Sequence, residues 1–167
     1  VSDYVTIKLN NDSYSVKSDN GQAILILENL DPGKYEINAY MDSYIYKSDE
    51  ATSDFTVDKK ATKIYCDDFF YFDSQISCPI TLVDEFGHEV SGCKLSVNID
   101  GKLYDVTTNG SGVGLVKFSS NPGDKKIYVS FNGNSKYLKS NLSKTITIKS
   151  TIELPNDVKY TYNAKYS

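Results

Sequence analysis

The chain has 167 residues, with 18 Lys+Arg against 22 Asp+Glu and a net charge of −4, and its pI is near 5.0. That balance argues against a nucleic-acid binder, which would normally show a basic face. Aromatic residues are 14 Tyr and 7 Phe with no Trp, a usage suited to half-buried strands, and no apolar run approaches the roughly 18 residues that span a membrane as a helix.

From the N-terminus, Val5, Ile7 and Leu9 alternate with Thr6 and Lys8, the period of two that puts one face of a strand in a core. Tyr14 follows a short turn, and Asp19-Asn20-Gly21 supplies the next. Ala23, Leu25 and Leu27 form another alternating run, and after Pro32-Gly33 a further one holds Tyr35, Ile37 and Ala39. About ninety residues later the same order returns. Leu95, Val97 and Ile99 alternate, Tyr104 follows, and Asn109-Gly110-Ser111-Gly112 is the turn, read as that of a hairpin. Gly114, Val116 and Phe118 then match Ala23, Leu25 and Leu27; after Pro122-Gly123, Ile127, Val129 and Phe131 match Tyr35, Ile37 and Ala39. Self-similarity at a fixed spacing marks a repeat architecture.

No stretch carries a sustained 3.6-residue apolar period, so essentially no helix is expected. Strands are expected at 62–66, 76–83, 94–100, 103–107, 113–119, 125–132 and 143–148. Seven short strands in about ninety residues suit an immunoglobulin-like sandwich. The expected inward residues are Ile64, Ile80, Leu82, Leu95, Val97, Ile99, Val116, Phe118, Ile127, Val129, Phe131, Ile146 and Ile148. The fold class is therefore all-β, with tandem immunoglobulin-like β-sandwich domains.

The closing "STIELPNDVKYTYNAKYS" at 150–167 matches "TKIYCDDFFYFDSQIS" at 62–77. The expected organisation is a partial domain at 1–58 lacking its first strands, a complete domain at 59–149, and the opening strand or strands of a further domain at 150–167. In the partial domain Val5, Ile7, Leu9, Leu25, Leu27 and Ile37 are expected to face water unless strands from elsewhere cover them. The molecule is expected to continue past both ends, with an export signal outside this stretch because no basic-then-apolar opening is present.

The segment "KLSVNIDGKLYDVTTNGSGVGLVKF…NPGDKKIYVSFNGNSKYLKSNLSKTITI" resembles the Ig-like repeats of surface adhesin-like proteins in methanogenic archaea, and the related bacterial Ig-like repeat families. The first unit departs from the pattern in its loop, where "YMDSYIYKS" stands for "FNGNSKYLKS". The resemblance implies stalks or surface layers outside the cell. Neighbouring repeats, copies of the chain joined by strand exchange through 150–167, or a surface glycan or protein are the expected partners.

Residues with chemistry are sparse. His88 in "DEFGHEV" is the single histidine and reads as an exposed turn residue. Asp67-Asp68 and Asp84-Glu85 read as surface charge, with a structural calcium as the other reading. No spacing supports a zinc site, a nucleophile–base pair or a phosphate loop. No catalytic residue, metal ligand or cofactor is assigned, and no enzymatic activity is expected. Cys66, Cys78 and Cys93 lie in the second unit. They read as small buried apolar residues, or, for Cys66 and Cys78 across a turn near residue 72, as a bridged pair. Asn11, Asn109 and Asn141 begin sequons near expected turns. Tyr40, Tyr44 and Tyr46 cluster in one loop region. They read either as packing between neighbouring domains or as an exposed contact surface.

Overall fold

The computed structural model describes residues 4–41, 50–71 and 73–150. Among them the chain is all-β, with strands and turns but no helix. The described residues divide into two compact units, one of those up to Lys60 with 134–137, the other of those from 61 to 133 and from 138 to 150.

The first unit holds four strands: β1 (Tyr4–Leu9), β2 (Asp12–Lys17), β3 (Gly33–Tyr40) and β4 (Ala51–Val57). They form one antiparallel sheet in the order β2-β1-β3-β4. The second unit holds β5 (Thr62–Cys66), β6 (Phe69–Tyr71), β7 (Ile76–Asp84), β8 (Lys94–Ile99), β9 (Lys102–Thr107), β10 (Val113–Phe118), β11 (Gly123–Phe131) and β12 (Ser140–Lys149). These make a three-stranded sheet, β10-β7-β5, and a five-stranded sheet, β6-β12-β11-β8-β9. All pairings in the second unit are antiparallel except β6 with β12. The two-sheet arrangement, with consecutive strands switching between layers, is that of an immunoglobulin-like sandwich.

Period-two alternation accounts for the core. All thirteen residues expected to point inward in the second unit are buried, joined by Phe70, Ile76, Cys78, Val90 and Cys93. One polar side chain is built into this interior. The buried Thr108 hydroxyl donates to the Val90 carbonyl at 2.7 Å and accepts from the Cys93 N–H at 3.0 Å, which removes the cost of an unmatched buried hydroxyl.

The two units repeat each other in register. Leu9 faces Ile37 in the first as Ile99 faces Ile127 in the second, and Tyr4 faces Lys17 as Lys94 faces Thr107. The turn after β1 repeats as well. Asn10 takes a left-handed φ of 51°, and Asp100 takes 46°. The Asn10 N–H donates to the Glu36 carbonyl, and the Asp100 N–H to the Lys126 carbonyl, both at 3.0 Å. In return the Glu36 N–H donates to Asn10 Oδ1 at 2.9 Å, and the Lys126 N–H to Asp100 Oδ1 at 2.8 Å. Asn and Asp are the residues that tolerate this backbone while bonding locally.

Three expectations need correction. Residues 23–28 keep the alternating pattern, with Ala23, Leu25 and Leu27 half-buried and Ile24 and Ile26 exposed, yet they form no strand. Their counterpart β10 is held by β7, and no strand lies beside 23–28 among the described residues; without a partner the pattern has no ladder to join. Leu9 does not face water: β1 is an inner strand, and Leu9, flanked by Asp12 and Ile37, is only 3% exposed. Val5, Ile7, Leu25, Leu27 and Ile37 are half-buried. Finally, the Asn109–Gly112 turn is no hairpin. It carries the chain from β9 in one sheet to β10 in the other, closed by bonds from the Asn109 N–H to the Val113 carbonyl and the Gly112 N–H to the Asn109 carbonyl.

That crossover rests on Gly112. Its φ is +70°, its carbonyl accepts from the Leu82 N–H, and a Cβ placed there would meet the Leu82 carbonyl oxygen at 2.7 Å. Gly112→Ala is therefore expected to destabilise the second unit by about 2 kcal/mol or more, because strain and overlap add. Gly110→Ala, with nothing within 4 Å of the added methyl, should stay within about 0.5 kcal/mol of the parent. Urea unfolding of the two variants reads the difference.

Candidate functional site

Two places in the second unit collect the residues singled out from sequence. The first is the corner where the chain leaves the smaller sheet at Cys66 and joins the larger one at Phe69. The Cys66 and Cys78 sulphurs are 3.5 Å apart, and both residues are thiols. Cys78 is fully buried and Cys66 half-buried. Lys144, on β12, donates from Nζ to the Cys66 carbonyl at 2.6 Å and to Asp68 Oδ1 at 2.5 Å. The Asp68 carbonyl accepts from the Thr147 N–H at 2.9 Å. The pair titrates unequally. The hydrogen bond from Cys78 lowers the Cys66 pKa, burial opposes this, and the Lys144 ammonium adds to the lowering. The same hydrogen bond, then burial, then the Cys66 charge push the Cys78 thiol well above the ordinary range.

Beyond that corner lies β6, which the sequence reading placed in a turn. Its three residues pair in parallel with Thr147, Ile148 and Lys149. Phe70 points into the core, while Phe69 and Tyr71 are exposed and meet edge-to-face at 6.0 Å. The Lys149 ammonium sits 4.1 Å from the Phe69 ring centre, within cation–π range. The doubled aromatic "FFYF" was the available signal, but three residues are too short for period two to declare itself.

The second place is the turn after β7. Asp84 was expected at the surface and is instead buried, at 2% exposure. Its Oδ1 accepts from the Phe86 and His88 backbone N–H groups, each at 2.9 Å, and Oδ2 lies 3.3 Å from His88 Nδ1. The carboxylate closes its own turn, which is why it lies inside while its neighbour Glu85 is exposed. His88 is exposed, as expected, with its side chain 74% accessible. Asp67 and Asp68 are both exposed.

The remaining candidates are not brought together. Tyr40 is half-buried, with the Lys8 ammonium 5.3 Å from its ring centre; Tyr44 and Tyr46 lie outside the described residues. Asn11 is exposed in the β1–β2 turn, and Asn141 is exposed within β12 rather than in a turn. Asn109 is exposed, and its Oδ1 accepts from the Ser111 and Val113 N–H groups at 3.0 and 3.1 Å. Among the described residues no group of three His, Cys, Asp or Glu converges on a point that could hold a metal. Among the described residues no helix is long and apolar enough to cross a membrane.

No family model matches the chain, and no curated protein matches it. Solved structures similar to it include a host-cell-surface-retention structure from a 1.5-MDa bacterial ice-binding adhesin, at 15% identity and TM-score 0.40, covering 90% of this chain and 53% of that one. A Ca2+-stabilized adhesin of an ice-binding Antarctic bacterium is similar at 13% identity and TM-score 0.40, covering 91% and 41%. Fibronectin(III)-like modules of Clostridium thermocellum CbhA are similar at 10% identity and TM-score 0.40, covering 98% and 84%. The chain thus spans about half the length of the first of these structures and less of the second.

The Asp84 turn gives a pH signature. Burial raises the Asp84 pKa, but the His88 backbone and side-chain hydrogen bonds, the Phe86 N–H and the His88 charge outweigh it, and the net shift is downward. A depressed carboxylate contributes stability that is present above its unfolded pKa and is lost as pH falls through the folded value. Unfolding free energy should therefore drop more steeply below about pH 4 in the parent than in Asp84→Asn. At neutral pH, Asp84→Ala should cost on the order of 2 kcal/mol, since it leaves two turn N–H groups without their acceptor. Denaturant unfolding across the acid range checks both.

Proposed function

We propose that the chain is an extracellular structural repeat module of a surface adhesin-like protein, a segment of a stalk, surface layer or filament that catalyses nothing. The observation that carries this reading is the repetition in register of β1–β2–β3 by β8–β9–β11, down to the Asn10 and Asp100 turn bonds. What the two units share is ladder, turn chemistry and core spacing. Duplication that keeps these and lets exposed side chains vary suits a part whose task is length and durability. The resemblance of 94–148 to archaeal surface repeats supports a place outside the cell. There Asn11, Asn109 and Asn141 are candidate glycan acceptors, and neighbouring repeats are the natural partners.

A second reading draws on residues 23–28. This run has the alternation of a strand and no ladder, so it offers an edge to strands supplied from elsewhere. The neighbouring repeat of the same protein is the source favoured here. Exchange between copies, using the 150–167 segment, would make the chain a filament subunit. A binding module working through Tyr40, Tyr44 and Tyr46 on a surface glycan or protein is the third possibility.

Antibodies against the second unit should label intact cells of the source organism, and labelling that requires permeabilisation would overturn the extracellular assignment. Sedimentation of the full chain separates the assembly readings. Concentration-dependent head-to-tail polymers abolished by deleting 150–167 would establish strand exchange. Retention on a glycan array that is lost with the three tyrosines changed to Ala would establish the binding module.

A further inference from the structure

The corner at Cys66 holds two thiols in an arrangement that the structural role above does not use. The β5–β7 ladder pairs Cys66 with Ile80, so Cys78 sits two residues along β7 from the position opposite Cys66. Side chains two apart on a strand share a face, which sets both cysteines on the same side of the smaller sheet. The chain between them leaves as β6 and returns as β7, so the 3.5 Å sulphur contact lies at the neck of a loop. A disulfide bond is about 2.05 Å long, so the sulphurs need to close by roughly 1.5 Å, a distance within reach of side-chain rotation and a small strand adjustment.

From this geometry we infer that Cys66 and Cys78 form a reversible dithiol–disulfide site, closed by exchange with a small-molecule disulfide and clipping β5 to β7 around β6. The two thiols differ in the ways that exchange requires. Cys66 is the accessible one, and its thiolate is stabilised by the Cys78 S–H and by Lys144, against burial; Asp67 and Asp68, the acidic groups beside it, act in the opposite sense. Cys66 therefore attacks first. Its thiolate takes one sulphur of the reagent, the reagent's S–S bond breaks, and one reagent thiolate leaves. Cys78 then attacks the Cys66 sulphur, and its proton leaves with the departing reagent sulphur, so that the second half of the reagent is released as a thiol. Two protein thiols lose two electrons and two protons, and one reagent disulfide becomes two thiols. Cys93 takes no part. It is buried, and its backbone N–H is bound to Thr108.

Closing this neck fixes the path from β5 to β7, and with it the placement of β6 against β12.

The test uses the full chain equilibrated with oxidised and reduced glutathione at several ratios, then trapped by alkylation. The expected result is loss of two alkylatable thiols per chain, with one remaining after unfolding. Cleavage at Asp67, Asp68 and Asp73, which separates the two cysteines, should leave their peptides linked. The oxidised chain should melt roughly 10 °C higher, a shift reversed by dithiothreitol and absent in Cys66→Ser. Cys93→Ala should still lose two thiols. Three persistent thiols under oxidising ratios, a stable glutathione adduct on Cys66 that Cys78 fails to displace, or linkage through Cys93 would each overturn the proposal. Because Cys78→Ser alters a packed site, Cys66→Ser, at the half-exposed position, carries the control.

Discussion

The second unit depends on one strand. β7 lies between β5 and β10 and is the only element among the described residues that pairs with either. Its Ile76, Cys78, Ile80, Leu82 and Asp84 side chains are all buried on one face. This row is the middle of the layer that covers the larger sheet, and its backbone supplies the ladder bonds for both neighbours. Its end is also where the Leu82 N–H takes the Gly112 carbonyl and the Leu82 carbonyl takes the Val90 N–H. The turn before β10 and the approach to β8 are thus set by the same residue that fills the core.

The first unit makes this dependence visible, because it carries a run with the side-chain pattern of β10 but no described strand in the place of β7. Residues 23–28 alternate as faithfully as 113–118, and each run follows a turn that holds a glycine of positive φ, Gly21 at 78° and Gly112 at 70°. One becomes a strand and the other does not. Side-chain pattern decides which way a residue faces, while backbone N–H and C=O groups need a neighbour to bond. A strand is therefore a property of a pair, and a reading of one run at a time could not see the difference.

The same distinction explains what the sequence disclosed. Long alternating runs bounded by Gly, Asn and Pro located the major strands and every expected core position of the second unit, because burial on one face imposes period two. β6 escaped because three residues in a parallel pair carry no such rhythm. Asp84 was misjudged because charge argues for the surface, whereas its carboxylate is held inside by the N–H groups of its own turn. The Asn109–Gly112 turn looked like a hairpin because its residue types are those of tight turns generally; which sheet the next strand joins is decided by the partner, here β7. Cys66 and Cys78 could be placed near one another from the spacing, but not which sulphur is accessible, since that follows from where β5 ends.

The end of β5 is in turn an electrostatic matter. Lys144 gathers the Cys66 carbonyl and the Asp68 carboxylate, while the Asp68 carbonyl binds the Thr147 N–H. These bonds draw the chain away from β7 and across to β12 within two residues. Had β5 continued, residue 68 rather than a turn would face Cys78 in the ladder, and the thiol of Cys66 would be one more side chain in a closed row. Because the strand breaks off at Cys66, its sulphur sits at the open end of the sheet above the buried Cys78. The switch that completes the larger sheet with β6 is thus the same event that leaves a half-exposed thiol against a buried one, with an ammonium group beside them.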